Sequence, residues 1–136
     1  MALALAGRCS DELPDVRNFR EYEIWKNGIL IVKRVYQITR ELPQLERNGL
    51  IQQLHRAAVS IPSNIAEGPA RVTEKEFSHY LRIAEGSAFE VETQLILAVE
   101  LEFISQETLQ PLLDDLHQLQ RQIHHLIQKL SNKPKV

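Results

Sequence analysis

The sequence predicts an all-α protein, folded as an antiparallel up-down-up-down four-helix bundle with a kinked second helix. Apolar residues recur at helical spacing through four segments of the chain. Glycine and proline are scarce, at 5 and 6 of 136 residues, which favours helix. The connections between the periodic segments are short, so consecutive helices should be antiparallel neighbours. We therefore predict one domain over residues 19–131, with tails at 1–18 and 132–136.

The first helix is predicted to run from Tyr22 to Glu41, because Pro43 cannot continue it. Arg40 near its end complements the helix dipole. One face of this helix collects the residues expected in the core, namely Trp25, Gly28, Ile29, Val32, Val35, Tyr36 and Thr39.

The second helix is predicted from Arg47 to Ala66. Pro62 lacks a backbone N–H and crowds the carbonyl four residues earlier, so we expect a kink or a short break there. Gly68 is the expected C′ cap. The inward face comprises Leu50, Leu54, Ala57, Ala58, Ile61 and Ile65.

The third helix should begin at a capping box, in which Thr73 and Glu76 each cap the other's backbone N–H. Gly86 lies in the middle of this helix at a cost of about 1 kcal/mol relative to alanine, which favours a close contact with another helix. Apolar residues follow the strict 4-3 spacing of a bundle seam, as Phe77, Leu81, Ala84, Ala88, Val91, Leu95 and Ala98.

The fourth helix is predicted from Gln106 to Leu130. Thr108 is an alternative start, because proline is favoured in a first turn and Pro111 follows closely. The same 4-3 spacing recurs in Leu112, Leu116, Leu119, Ile123, Leu126 and Leu130.

The stretch from Gln53 to Gly68, QLHRAAVSIPSNIAEG, resembles the signature of the four-helix-bundle proteins encoded in intervening sequences of bacterial 23S ribosomal RNA genes. The resemblance implies a homopentamer without established enzymatic activity. This family is similar to the accessory variability proteins of diversity-generating retroelements, which are basic and bind nucleic acid and a reverse transcriptase. The resemblance extends over about residues 19–130 and includes Ile24-Trp25, Val35-Tyr36, Leu42-Pro43, Phe77, Leu81, Ala84, Gly86-Ser87 and Glu90.

We predict neither an enzyme nor a bound cofactor or metal. The sequence has no phosphate loop, no His-Glu-x-x-His and no Cys-x-x-Cys. Glu76 with His79, and Asp114 with His117, match the spacing of di-iron sites but point away from the predicted seams. The histidines of the fourth helix, His117, His124 and His125, are expected on a solvated face.

The sequence also predicts a cytoplasmic protein. The single cysteine, Cys9, excludes an intramolecular disulfide. Residues 1–7 lack the basic start and the long apolar run of a signal peptide. No stretch reaches the roughly 18 apolar residues of a membrane span, so a membrane is not an expected partner.

Two polar groupings are candidate sites. Arg56, Ser60, Asn64, Glu67 and Arg71 align along the second helix and its exit. We interpret this polar ridge as a structural network with Glu90 or Glu92 as ion partners, and a ligand or RNA contact is the alternative.

The second grouping is a basic pole, opposite an acidic stretch between Ile83 and Gln120 that contains no lysine or arginine. Net charge is only −2, so any attraction for nucleic acid has to be local. The candidate nucleic-acid-binding residues at this pole are Arg71, Lys75, Arg82, Lys129 and Lys133.

The sequence favours a non-enzymatic oligomeric scaffold for protein or nucleic-acid association, most specifically a homopentamer. The alternative is an accessory protein that binds RNA weakly and without sequence preference through the basic pole. The scaffold hypothesis depends on apolar residues that lie outside the seams and suit subunit contacts, namely Leu30, Ile51, Phe89, Ile96, Leu97 and Phe103.

Overall fold

A computed structural model describes residues 16–132, and four α-helices make up most of this range. They are α1 (Glu23–Thr39), α2 (Leu50–Glu67), α3 (Glu74–Glu100) and α4 (Gln106–Ser131). Short 3₁₀ helices cover Val16–Glu21, Gln44–Glu46 and Gly68–Ala70. No strand occurs between residues 16 and 132, and the prediction of an all-α bundle is confirmed.

Each helix packs against two others. α1 contacts α2 and α4, and α3 contacts the same two helices. Cross-helix hydrogen bonds fix the register of α1 on α4, because Asn27 reaches Gln122 whereas Arg34 reaches Asp115. The arrangement places α1 and α3 at opposite corners of the bundle.

The core follows the predicted seams closely on α2, α3 and α4. All seven predicted seam residues of α3 are buried, and Leu126 of α4 is only half-buried because the neighbouring Ile127 takes the core position. The prediction for α1 is partly wrong, since Ile29 and Tyr36 are exposed. The apolar run Ile29–Val32 allows more than one inward face, and the face chosen buries Ile24, Gly28, Ile31, Val35, Ile38 and Thr39.

Hydroxyl side chains cap the N-termini of the two longest helices, α3 and α4. The Thr73 hydroxyl accepts the backbone N–H of Glu76 at 3.1 Å and donates to the Glu76 carboxylate at 3.0 Å. The Ser105 hydroxyl accepts the backbone N–H of Thr108 at 3.1 Å. This second cap starts α4 at Gln106, so the alternative start at Thr108 is wrong.

Gly68 does not end α2 as the predicted C′ cap. Its φ and ψ of −58° and −52° are right-handed, and the chain continues into the 3₁₀ turn. A Cβ at Gly68 would lie 2.7 Å from Cδ1 of the buried Phe77. Glycine is therefore required here for close packing, not for a left-handed turn.

The close helix contact in this bundle lies at Gly28. A Cβ there would lie 3.3 Å from Cβ of the buried Pro62. α2 is continuous through Pro62 from Leu50 to Glu67, so the predicted break does not occur and a kink stays a prediction. Gly86 was expected to make such a contact, but this is wrong, because nothing lies within 4 Å of a Cβ built on it.

Candidate interaction surfaces

The outer side of α3 exposes a row of large apolar side chains. Phe89 is 51% exposed, Ile96 43% and Leu97 45%. Gly86 is exposed on the same helix. Ordinary surfaces scatter such residues singly, so a cluster on one helix indicates an interaction site. We call this surface the α3 patch, defined by Ile83, Phe89, Ile96, Leu97 and Leu101.

Not every predicted surplus residue belongs to this surface. Leu30 is exposed on α1, as expected. Ile51 and Phe103 are half-buried and pack against the core instead. The seven-residue spacing of Phe89, Ile96 and Phe103 did not reveal that α3 ends at Glu100, where the chain turns and carries Phe103 inward.

A second apolar surface lies between α1 and α2. It is a groove of about 340 Å³ whose walls include the exposed side chains of Ile29 and Val59. Because α1 and α3 occupy opposite corners, this groove and the α3 patch are separate surfaces. We call it the α1–α2 groove, lined by Trp25, Ile29, Val32, Val59, Pro62, Ser63 and Ala66.

The predicted polar ridge divides into two local groups. The Asn64 amide donates to the Ser60 hydroxyl at 2.9 Å, and the Ser87 hydroxyl of α3 donates to Ser60 at 2.8 Å. Farther along, Glu67 forms an ion pair with Arg71. Neither Glu90 nor Glu92 joins these groups, whereas Arg56 is exposed near the other end of α2.

The basic pole is less uniform than the sequence indicated. Arg71 is held by the Glu67 ion pair and lies over the Tyr80 ring, with its guanidinium carbon 4.6 Å from the ring centroid. Lys75 and Arg82 are exposed on α3, and Lys129 is half-buried on α4. Lys133 lies outside the described residues.

The sequence suggested that the histidines of α4 lie on a solvated face, but two of them, His117 and His124, contact carboxylates of α3. His117 Nε2 lies 2.9 Å from the Glu92 carboxylate, and His124 Nδ1 lies 2.8 Å from that of Glu85. The Gln120 amide also donates to Glu92, at 2.9 Å. Burial raises the pKa of Glu92, but the hydrogen bonds from Gln120 and His117 outweigh it and leave the pKa below its ordinary value.

Three arginines lie close together at the end of the bundle opposite the basic pole, and of these only Arg56 belonged to a predicted site, the polar ridge. A cleft of about 510 Å³ opens where the end of α1 meets the start of α2. The whole length of α2 separates it from Arg71, so it is distinct from the basic pole. We call it the arginine cleft, lined by Thr39, Arg40, Leu42, Gln44, Arg47, Asn48, Ile51, Gln52, His55 and Arg56.

One wall of the arginine cleft is held by side-chain contacts. The His55 ring stacks on Tyr36 with centroids 3.7 Å apart and planes 6° apart. Its Nε2 lies 2.8 Å from the Thr39 hydroxyl, which donates to the Tyr36 carbonyl at 3.0 Å. Desolvation by burial lowers the pKa of His55.

Residues 16–132 contain neither a candidate metal-binding cluster nor a candidate membrane-spanning helix. No group of three or more His, Cys, Asp or Glu side chains there is placed to hold a metal ion. Among the same residues, the helices are too polar or too short to cross a membrane.

These features define a four-helix-bundle protein whose candidate sites lie on its outer surfaces. A family model described as 23S rRNA-intervening sequence protein matches residues 20–125. The chain belongs to this family, which confirms the resemblance seen in the sequence.

A solved structure has the same fold. It is the crystal structure, at 1.70 Å, of a protein with unknown function from the S23 ribosomal protein family of Bacteroides thetaiotaomicron VPI-5482. The two chains are 22% identical with a TM-score of 0.71, over 76% of this chain and 97% of that one. No curated protein matches the sequence.

Proposed function

We propose that the protein is a non-enzymatic scaffold that assembles with copies of itself and presents a surface to protein or nucleic acid in the cytoplasm. The observation that carries this proposal is the presence of two separate apolar surfaces on one protomer, the α3 patch and the α1–α2 groove. Exposed apolar area of this kind is favourable to bury.

Two different surfaces suit a ring. In a heterologous interface, one surface of a protomer meets a different surface of the next, and the assembly closes if the rotation permits. The α3 patch projects apolar side chains, whereas the α1–α2 groove is concave and largely apolar, so we propose that the first packs into the second. The family resemblance supports five subunits.

Gly86 supports the same proposal. No intramolecular contact requires a glycine at this exposed position of α3, yet glycine costs about 1 kcal/mol there relative to alanine. Ile83 and Phe89 lie within one turn on either side of it. A partner helix approaching the α3 patch would find space for its side chains above Gly86.

Size-exclusion chromatography with light scattering tests the scaffold. The parent should run as one oligomer at micromolar concentration, and the double variant Phe89→Glu/Ile96→Glu should shift to monomer mass with its helix content intact. Val72→Glu is the matched control, because Val72 is 96% exposed in a connector and lies in neither surface. A monomeric parent would contradict the proposal.

Binding of RNA at the basic pole is the second candidate function. The supporting observation is that Lys75 and Arg82 are exposed, and no ion pair involves either within residues 16–132. Such binding should be weak, sequence-tolerant and steeply dependent on salt. Fluorescence anisotropy with a labelled structured RNA should show binding that Lys75→Glu/Arg82→Glu abolishes and that Lys33→Glu/Arg121→Glu leaves in place. Binding insensitive to the first pair would remove the basic pole from consideration.

A further inference from the structure

We infer that the arginine cleft is a binding site for a phosphate group, carried either by a small molecule such as a nucleotide or by the backbone of an RNA strand. Three arginines, Arg40, Arg47 and Arg56, and His55 line one cleft. This inference is independent of self-assembly and of the basic pole, and it stands on the chemistry of the lining.

The cationic groups of the cleft remain available to a ligand. No ion pair within residues 16–132 involves Arg40, Arg47 or Arg56. Arg47 donates one hydrogen bond, to the Gln44 side chain at 2.9 Å, and keeps its other donors. The planar fork of an arginine matches phosphate oxygens, and such charge-assisted bonds are roughly twice as strong as neutral ones.

The charged side chains that line the cleft are cationic, whereas Glu41 follows Arg40 in the chain and the acidic end of α3 and start of α4 lie at the same pole of the bundle. No aspartate or glutamate lines the cleft. The nearby Glu46 is engaged, because its carboxylate accepts the backbone N–H of Leu50 at 3.1 Å and caps the start of α2. Ile51 and Gln52 belong to the first turn of α2, where the helix dipole attracts negative charge. The end of α1 at Thr39 opposes this attraction, and Arg40 follows it directly.

The cleft has the size and the fixed wall of a ligand site. Its volume of about 510 Å³ falls within the range of about 300–1,000 Å³ typical of small-molecule sites. Stacking on Tyr36 and the bond to Thr39 hold His55 in one orientation. Because the His55 side chain is already fixed before a ligand binds, binding costs less conformational entropy than it would with a mobile side chain. The amides of Gln44, Asn48 and Gln52 add neutral hydrogen-bonding groups around the arginines.

Thermal melts and calorimetric titrations with inorganic phosphate, adenosine monophosphate and a short unstructured RNA test the inference, with chloride holding ionic strength constant. Phosphate should stabilise the parent in a saturable manner. Arg47→Gln/Arg56→Gln should weaken phosphate binding about a hundredfold or more, since each arginine removed costs about tenfold or more in lost charge-assisted hydrogen bonds. Arg47→Lys should bind at an intermediate level, because it keeps the charge and loses the fork.

The control is Arg121→Gln, which removes one exposed arginine of α4 away from the cleft and should bind phosphate as the parent does. If the double variant fails to fold, Arg40→Gln replaces it, since Arg40 is exposed and follows the end of α1. Tighter binding of the monophosphate than of RNA identifies a nucleotide site, and the reverse identifies an RNA backbone site. Absence of saturable phosphate binding, or binding unchanged in the cleft variants, overturns the inference.

Discussion

At the scale of single residues, two glycines have opposite surroundings: Gly68 lies in the turn before α3, and Gly86 lies in the middle of α3. Gly68 lies against the ring of Phe77, whereas Gly86 has open space around it. The sequence could not distinguish the two glycines, because the spacing of apolar residues predicts which face of a helix a residue occupies but not its distance from the neighbouring helix.

We expect Gly68→Ala to destabilise the fold by about 1–3 kcal/mol, because the new Cβ forces the buried Phe77 ring to move. Gly86→Ala is the matched control, measured in the Phe89→Glu/Ile96→Glu background where the α3 patch no longer packs on a partner, and it should raise stability there by up to about 1 kcal/mol through helix propensity. Urea unfolding followed by circular dichroism measures both. A Gly68→Ala protein as stable as the parent would show that Phe77 shifts at no cost.

His55 should make stability depend on pH. Its pKa is lowered in the folded state, so the unfolded chain binds more protons below about pH 6.5, the ordinary value. Stability should therefore fall as pH decreases from 6.5 towards the folded pKa and level off below it. Urea unfolding of His55→Gln, measured from about pH 7.5 to about pH 5 so that the range spans the ordinary histidine pKa, should lack this component. An identical pH profile in parent and variant would assign the effect elsewhere.

At the scale of helices, the sequence predicted most of the architecture. The 4-3 spacing located all the buried apolar residues of α3, and only the polar Ser87, which bonds Ser60 of α2, is buried on that helix outside the predicted seam. The spacing failed on α1, where consecutive apolar residues from Ile29 to Val32 supply more than one face. It also could not foresee that His117 meets Glu92 or that the arginine cleft forms, because such pairs depend on the register between helices.

The start of α3 offers a test at this scale. Thr73→Ala removes the hydroxyl that accepts the Glu76 N–H and should destabilise the protein by about 0.5–2 kcal/mol. Thr93→Ala is the control, since that exposed hydroxyl bonds only the Phe89 carbonyl within the same helix. Both variants are made in the Phe89→Glu/Ile96→Glu background, because Thr93 lies beside the α3 patch. Chemical unfolding of both variants measures the difference. Equal stability of the two would mean that water replaces the Thr73 cap without loss.

At the scale of the whole molecule, assembly should couple to stability. An oligomer that buries the α3 patch melts at a higher temperature as protein concentration rises, by mass action. We expect this dependence in the parent and its absence in Phe89→Glu/Ile96→Glu. Scanning calorimetry over a hundredfold concentration range, roughly micromolar to sub-millimolar, measures it. If the melting temperature of the parent does not change with protein concentration, the apolar surfaces do not mediate self-assembly.

The position of the arginine cleft has a consequence for the assembled protein. The cleft shares no residue with either the α3 patch or the α1–α2 groove, and we expect assembly through those surfaces to leave one cleft open on every subunit. A polymer with many phosphates could then occupy several clefts in succession. Each contact after the first would form at a high effective concentration, so a strand would dissociate far more slowly than its separate nucleotides. The spacing between clefts would set the shortest strand that gains this advantage.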